Sequence, residues 1–184
     1  MTSDNSRRSK LFVNSSASSA EDPLVQLRPE TPEDSGFLLE LYASTRAAEM
    51  ASTGWDAQQI SAFLGMQFHA MRRGYAAQYP AAEFSVVLLN GVSIGHLVVD
   101  RSADSIALVD IALLPKYRSR GIGRNLIEKL RSESIRANKP IRLQVLKHGG
   151  PVKWYAAMGF MPVREDTMYL TMECQPGNDK EPAV

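Results

Sequence analysis

Tyr117–Leu126 reads YRSRGIGRNL, with Arg118, Arg120 and Arg124 crowded around Gly121 and Gly123. The apolar run IALVDIALL precedes it, and an amphipathic helix follows. Like charges that close repel one another unless an anion sits among them. A helix start adds backbone N–H groups with no intrahelical acceptor and the positive end of the helix dipole. Glycines at 121 and 123 remove side chains that would block close approach, so successive N–H groups can converge on phosphate oxygens. The stretch therefore asks for a pyrophosphate; the bland alternative is a solvated basic helix start.

Working outward, LVQLRP from Leu24 reads as a first strand. A helix start follows, with Thr31 as N-cap, Pro32 at the first position and Asp34 three residues after the cap. Phe37, Leu38, Leu41, Tyr42 and Thr45 then recur at helical spacing, as do Ile60, Phe63, Leu64, Phe68 and Met71 in a second helix from about Ala57. EFSVVLL and VSIGHLVVD, joined at Asn90-Gly91, make a hairpin, and SIALVDIALL is apolar on both faces, as a central strand is. The helix from about Gly121 to Ala137 should bury Ile122, Leu126, Ile127, Leu130 and Ile135. PIRLQVL, a short helix in PVKWYAAMGF and a closing strand MYLTMEC complete the order β-α-α-β-β-β-α-β-α-β. That order implies an α/β sandwich around a mostly antiparallel sheet.

Composition bounds the partners. A net charge of +1 argues against general nucleic-acid or membrane affinity, which needs surplus Lys and Arg on one face. The single cysteine, Cys174, excludes an internal disulfide framework and suits a reducing, cytoplasmic setting. No apolar run approaches the roughly 18 residues of a membrane span. SRRSKLF resembles a twin-arginine signal, but VNSSASSAEDP after it contains no apolar core. Residues 1–22 and 175–184 are expected to be disordered tails around one domain at 23–174.

Three pyrophosphate motifs compete. No Walker A string exists, and G-x-G-x-x-G fails because Leu126 holds the third glycine position. The third, R-x-x-G-x-G, is matched by Arg118, Gly121 and Gly123. With this motif, and with WYAAMGF as a second signature, the chain resembles the GNAT superfamily of acyl-coenzyme A dependent N-acetyltransferases over about Leu24–Glu173. The resemblance implies the GNAT fold: an α/β (α+β) domain with a mixed, mostly antiparallel central sheet flanked by helices on both faces. It implies acetyl-CoA as co-substrate and an amine acceptor, while the charge and the histidine spacing point to no nucleic acid, membrane or metal; a homodimer is common in the family, although nothing in this sequence fixes one. The cofactor pyrophosphate would face the N–H groups from Ser119 through Arg120, Gly121, Ile122 and Gly123 to Arg124, with Arg118 nearby. The pantetheine arm would lie along Ile111, Ala112 and Leu113 as an added strand.

Tyr155 matches the tyrosine that the family places near the thioester sulfur as general acid, and a phenol with a pKa of about 10 is protonated at neutral pH. Asp110 interrupts an apolar central strand, so it needs a partner. It either accepts the amine proton through a water or is a structural carboxylate tied to a backbone N–H or an arginine. His96 reads as a sheet-face histidine without a catalytic role. His69 and His148 lack companions at metal-ligand spacing. Two departures stand out: His148 or Gly149 fills the place of a cofactor-contacting asparagine, and Gln144 replaces the glutamate base of the ribosomal-protein branch. Trp55, Tyr75 and Tyr79, at helix ends, are the acceptor candidates. The same fold could instead serve a longer acyl-CoA, or bind coenzyme A without catalysis.

Overall fold

A computed structural model describes residues 25–147 and 150–177. The tail expected before residue 23, most of the one expected after 174, and the His148 and Gly149 positions lie outside the described residues. The strands are β1 (Val25–Pro29), β2 (Glu83–Leu89), β3 (Val92–Arg101), β4 (Ile106–Leu113), β5 (Ile141–Leu146), β6 (Met161–Glu165) and β7 (Tyr169–Cys174). The helices are α1 (Ser35–Ala51), α2 (Ala57–Gln78), α3 (Ile122–Ala137) and α4 (Pro151–Ala156). All seven strands join one sheet in the order β1-β2-β3-β4-β5-β7-β6, and only β4 and β5 run parallel.

The helices cover both faces. Leu38 and Tyr42 of α1 pack with Leu64 and Phe68 of α2. On the other face Ile122, Leu126, Ile127 and Leu130 of α3, with Tyr155 and Phe160, bury Leu97, Leu108, Ile141 and Leu143 of the sheet. Burial on this scale contributes roughly 1.5–3 kcal/mol per large apolar side chain.

Local chemistry sets the ends. Thr31 precedes a single 3-10 turn, Pro32–Asp34, rather than opening α1 directly. Asp34 accepts from the Thr31 N–H at 2.8 Å and pairs with both Arg28 nitrogens at 2.6 and 2.7 Å. The Arg28 guanidinium holds the Asp34 carboxyl well below the usual carboxylate range. At α2, Asp56 accepts from the Gln59 N–H at 2.8 Å, and Gln59 returns the bond to Asp56 N–H at 3.0 Å.

Two sequence expectations change. β6 was not expected: MPVRE has no alternation, carries Pro162 internally and is exposed throughout, so only its pairing with β7 makes it a strand. Ile135 is 51% exposed rather than buried. The inward position one residue earlier belongs to Ser134, whose hydroxyl donates to the Lys139 carbonyl.

Two register slips border β3. Ile94 is extra where Val87 faces Gly95 and Leu88 faces Ser93. Val109 is extra where Val98 faces Asp110 and Val99 faces Leu108. Such bulges bend the strand and re-aim the side chains beyond them. Gly95 sits just after the first slip, where an added Cβ would overlap the Ala112 carbonyl and meet Leu113 Cδ2 at 2.6 Å. The carbonyl is backbone and cannot step aside. Gly95→Ala is therefore expected to cost about 3 kcal/mol, lowering Tm by about 10 °C in thermal unfolding; an unchanged Tm would show that β3 and β4 separate freely here.

Candidate active site

β4 pairs with β5 only through Ile106–Leu108 against Ile141–Leu143. From Val109 onward its β5-side edge has no strand partner among the described residues, and the sheet opens there. The opening is a cleft of about 810 Å³ lined by Ile111, Ala112 and Leu113, by Arg118, Ser119, Gly121, Gly123 and Arg124, and by Gly150, Pro151, Trp154 and Tyr155. A bare strand edge and a glycine-rich helix start thus share one cavity, which suits a long ligand with an amide-bearing arm and a phosphate group.

The loop is shaped for this. Ser119 and Gly121 have φ of 56° and 78°, so the chain doubles back before α3 begins. Gly121 caps the helix without a side-chain hydrogen bond, leaving the first N–H groups open toward the cleft. The Arg118 Nε–H donates to the Leu113 carbonyl at 2.7 Å, tying the loop to the end of β4. Arg118 thus braces the site besides carrying charge. Arg120 lies over the Tyr117 ring at 5.6 Å, and Ile122 is buried in the core; neither side chain lines the cleft.

A smaller cavity of about 260 Å³ adjoins the cleft through Thr45, Ile111 and Ala112. It lies between α1, α2 and the sheet, and contains His96, Asp110 and Tyr75. Asp110 Oδ2 stands 3.1 Å from His96 Nε2 and accepts from the Tyr75 hydroxyl at 3.4 Å. Neither an arginine nor a backbone N–H holds this carboxylate among the described residues. His96 is buried, and its Nδ1 faces Glu30 Oε1 at 3.9 Å, both atoms lacking a hydrogen-bond partner. Arg72 pairs with the other Glu30 oxygen at 2.7 Å.

Tyr155 lines the larger cleft. Its ring is clamped edge-on between Trp154 and Phe160, at 4.8 and 5.5 Å. Burial pushes its phenol pKa above the ordinary value, and the negative Asp110 adds to the rise. Tyr75 is pushed up in the same way, first by burial and then by Asp110.

The other acceptor candidates lie apart from Asp110. Trp55 packs edge-on against Phe63 at 5.1 Å, is 43% exposed, and lines neither cavity. Tyr79 lines a third cavity of about 510 Å³ that it shares with Gln144 and, at one wall, Tyr75. Sequence reading passed over the contact of His96 with Asp110 and the place of Thr45 between the cavities. The available signal was a histidine and an aspartate in two strands adjacent in sequence, but the register that brings them together needs the bulge at Val109. Among the described residues no group of three His, Cys, Asp or Glu could hold a metal, and no helix is long and apolar enough to cross a membrane.

Comparison with known proteins adds to this geometry. Residues 80–162 match the family model described as Acetyltransferase (GNAT) domain. No curated protein matches the sequence. The fold is similar to that of PaiA N-acetyltransferase from Thermoplasma acidophilum, solved in complex with coenzyme A, at 17% identity and a TM-score of 0.62, covering 83% of this chain and 99% of that one. An acetyltransferase from Thermus thermophilus is similar at 18% identity and a TM-score of 0.58, covering 82% and 96%. An acetyltransferase from Streptococcus agalactiae gives 16% identity and 0.58, covering 82% and 98%.

Proposed function

We propose, from the match of residues 80–162 to the GNAT acetyltransferase domain and from the geometry of the two cavities, that the chain is an acetyl-CoA dependent N-acetyltransferase that takes its acceptor amine into the smaller cavity. One observation carries the reading: the two cavities meet at Thr45, Ile111 and Ala112, with Tyr155 on the cofactor side and Asp110 on the acceptor side. Acetyl-CoA supplies the activated acyl group, and the larger cleft fits it. Gly121, Gly123 and the α3 start would hold the pyrophosphate, and the bare edge of β4 would pair with the pantetheine amides.

Direct attack in a ternary complex needs a proton removed from the amine and one supplied to the departing thiolate. Asp110, held through Oδ2 by His96 and Tyr75, keeps Oδ1 for the amine or for a water between them. His96 is a positioning residue here rather than the bland core histidine its strand suggests. Tyr155, kept protonated by burial, supplies the second proton.

Thiol release from acetyl-CoA against a panel of primary amines, with calorimetry of acetyl-CoA binding, tests the reading. Binding with amine-stimulated release is expected; binding without stimulation by any amine reduces the protein to a coenzyme A binding module. Tyr155→Phe is expected to lower kcat about 100-fold with acetyl-CoA affinity little changed. Because the phenol pKa is raised, this group causes no alkaline fall in wild-type kcat below about pH 10. Equal rates for variant and wild type would remove Tyr155 from the chemistry.

A further inference from the structure

The smaller cavity carries one anion and one cation. Asp110 lies toward the sheet, and Arg46, on α1, lines the same space with its side chain 38% exposed. Leu38, Leu41, Phe68 and Met71 supply apolar wall to the same cavity. At about 260 Å³ the space is below the roughly 300 Å³ at which pockets for drug-sized ligands begin. Its occupant is therefore small, with a group for the carboxylate of Asp110, a group for the guanidinium of Arg46 and an apolar part for the remaining walls.

Arg46 is placed rather than loose. Its guanidinium lies over the Tyr42 ring at 5.5 Å, and Tyr42 is itself fixed by donating its hydroxyl to Gln67 Oε1 at 3.1 Å. Its protein partner is Glu49, three residues along the helix, reached by Nη1 alone at 3.2 and 3.3 Å. An exposed i,i+3 pair of that kind is weak and exchanges readily. A guanidinium fork is shaped for two-point binding of a carboxylate, which an ammonium or a bare alkyl chain cannot use.

We propose that the acceptor is a free α-amino acid with a medium-sized apolar side chain, its carboxylate read by Arg46 and its amine directed to Asp110. This rests on the transferase reading above and narrows it. A polyamine would place its second cation against Arg46, and like charges there are repulsive. A plain alkylamine would leave the guanidinium without a ligand, and the side chain of a protein lysine brings no carboxylate to it.

The test uses matched pairs with acetyl-CoA and the full chain. L-leucine is set against 3-methylbutylamine and L-methionine against 3-(methylthio)propylamine, with spermidine and Nα-acetyl-lysine amide as the other classes. In the wild type kcat/KM is expected to favour each amino acid over its decarboxylated partner by about 10- to 100-fold, the range of a hydrogen bond to a charged group. In Arg46→Gln that ratio is expected to fall toward one, while Arg46→Lys, which keeps the charge and loses the fork, keeps part of it. Calorimetry of acetyl-CoA and a thermal melt establish that both variants are folded. A decarboxylated amine, spermidine or the lysine amide turning over as fast as the amino acids overturns the assignment and leaves the transferase reading intact. So does a ratio that Arg46→Gln does not move. Absence of thiol release with every amine, acetyl-CoA being bound, overturns the transferase reading itself.

Discussion

Replacing Gly121 and Gly123 together by glutamate is expected to weaken acetyl-CoA binding at least about 1,000-fold, below detection by calorimetry. Two effects add. Each carboxylate would stand at the N-terminus of α3 where the phosphates are to sit, and like-charge juxtaposition costs several kcal/mol; about 4 kcal/mol is already a factor of 1,000. Gly121 also holds φ of 78°, which an L-residue adopts at roughly 1–2 kcal/mol. The control is Gly123→Ala. A Cβ there would lie 3.5 Å from Trp154 Cζ2 and Cη2, an ordinary contact, so binding should stay within a few-fold of wild type. The double variant should still fold, because both positions face the cleft and not the core. A folded double variant that binds acetyl-CoA normally would remove the phosphate cradle, and with it the reason for the crowded arginines.

Asp110→Asn is expected to lower kcat by about 10²- to 10⁴-fold, the span typical of a general base, with KM for acetyl-CoA little changed. The amide keeps the volume and can still accept from Tyr75, but it cannot take a proton. Substitution at His96 separates positioning from bulk. Gln can present an N–H toward Asp110 Oδ2, as His96 Nε2 does at 3.1 Å, whereas Phe fills the space without a donor. His96→Gln should therefore keep most of the wild-type kcat, and His96→Phe should fall toward the level of Asp110→Asn. Steady-state rates at saturating acetyl-CoA decide this. If Asp110→Asn turned over like the wild type, the carboxylate would be structural and the proton would leave by water alone.

Much of the site could be read along the chain because it is local. The R-x-x-G-x-G loop, the start of α3 and Tyr155 on its short helix owe their positions to neighbours within a few residues. Hence Arg118, Ser119, Gly121, Gly123 and Arg124 all line the cleft, together with Ile111, Leu113 and Tyr155. The acceptor side was less legible. Trp55 and Tyr79 sit at helix ends as expected, but a helix end says nothing of which cavity it borders; Tyr75 alone of the three reaches the cavity of Asp110.

The order of elements other than β6, and the local shape of the glycine-rich loop, were determined by the sequence itself, through side-chain periodicity, glycines and caps that act over one or two turns. The tertiary structure decided which face Asp110 occupies. In an unbroken strand Asp110 shares a face with Ile106 and Leu108, and that face is buried under α3. The extra residue at Val109 shifts the alternation by one, so Asp110 pairs with Val98 and turns toward His96, α1 and α2. The same displacement coincides with the point where β4 leaves β5 and the cleft opens. Neither event is encoded in the strand's own pattern. Both arise from how β3 and β5 pair with it, contacts that reach across the chain and exist only once the sheet has formed.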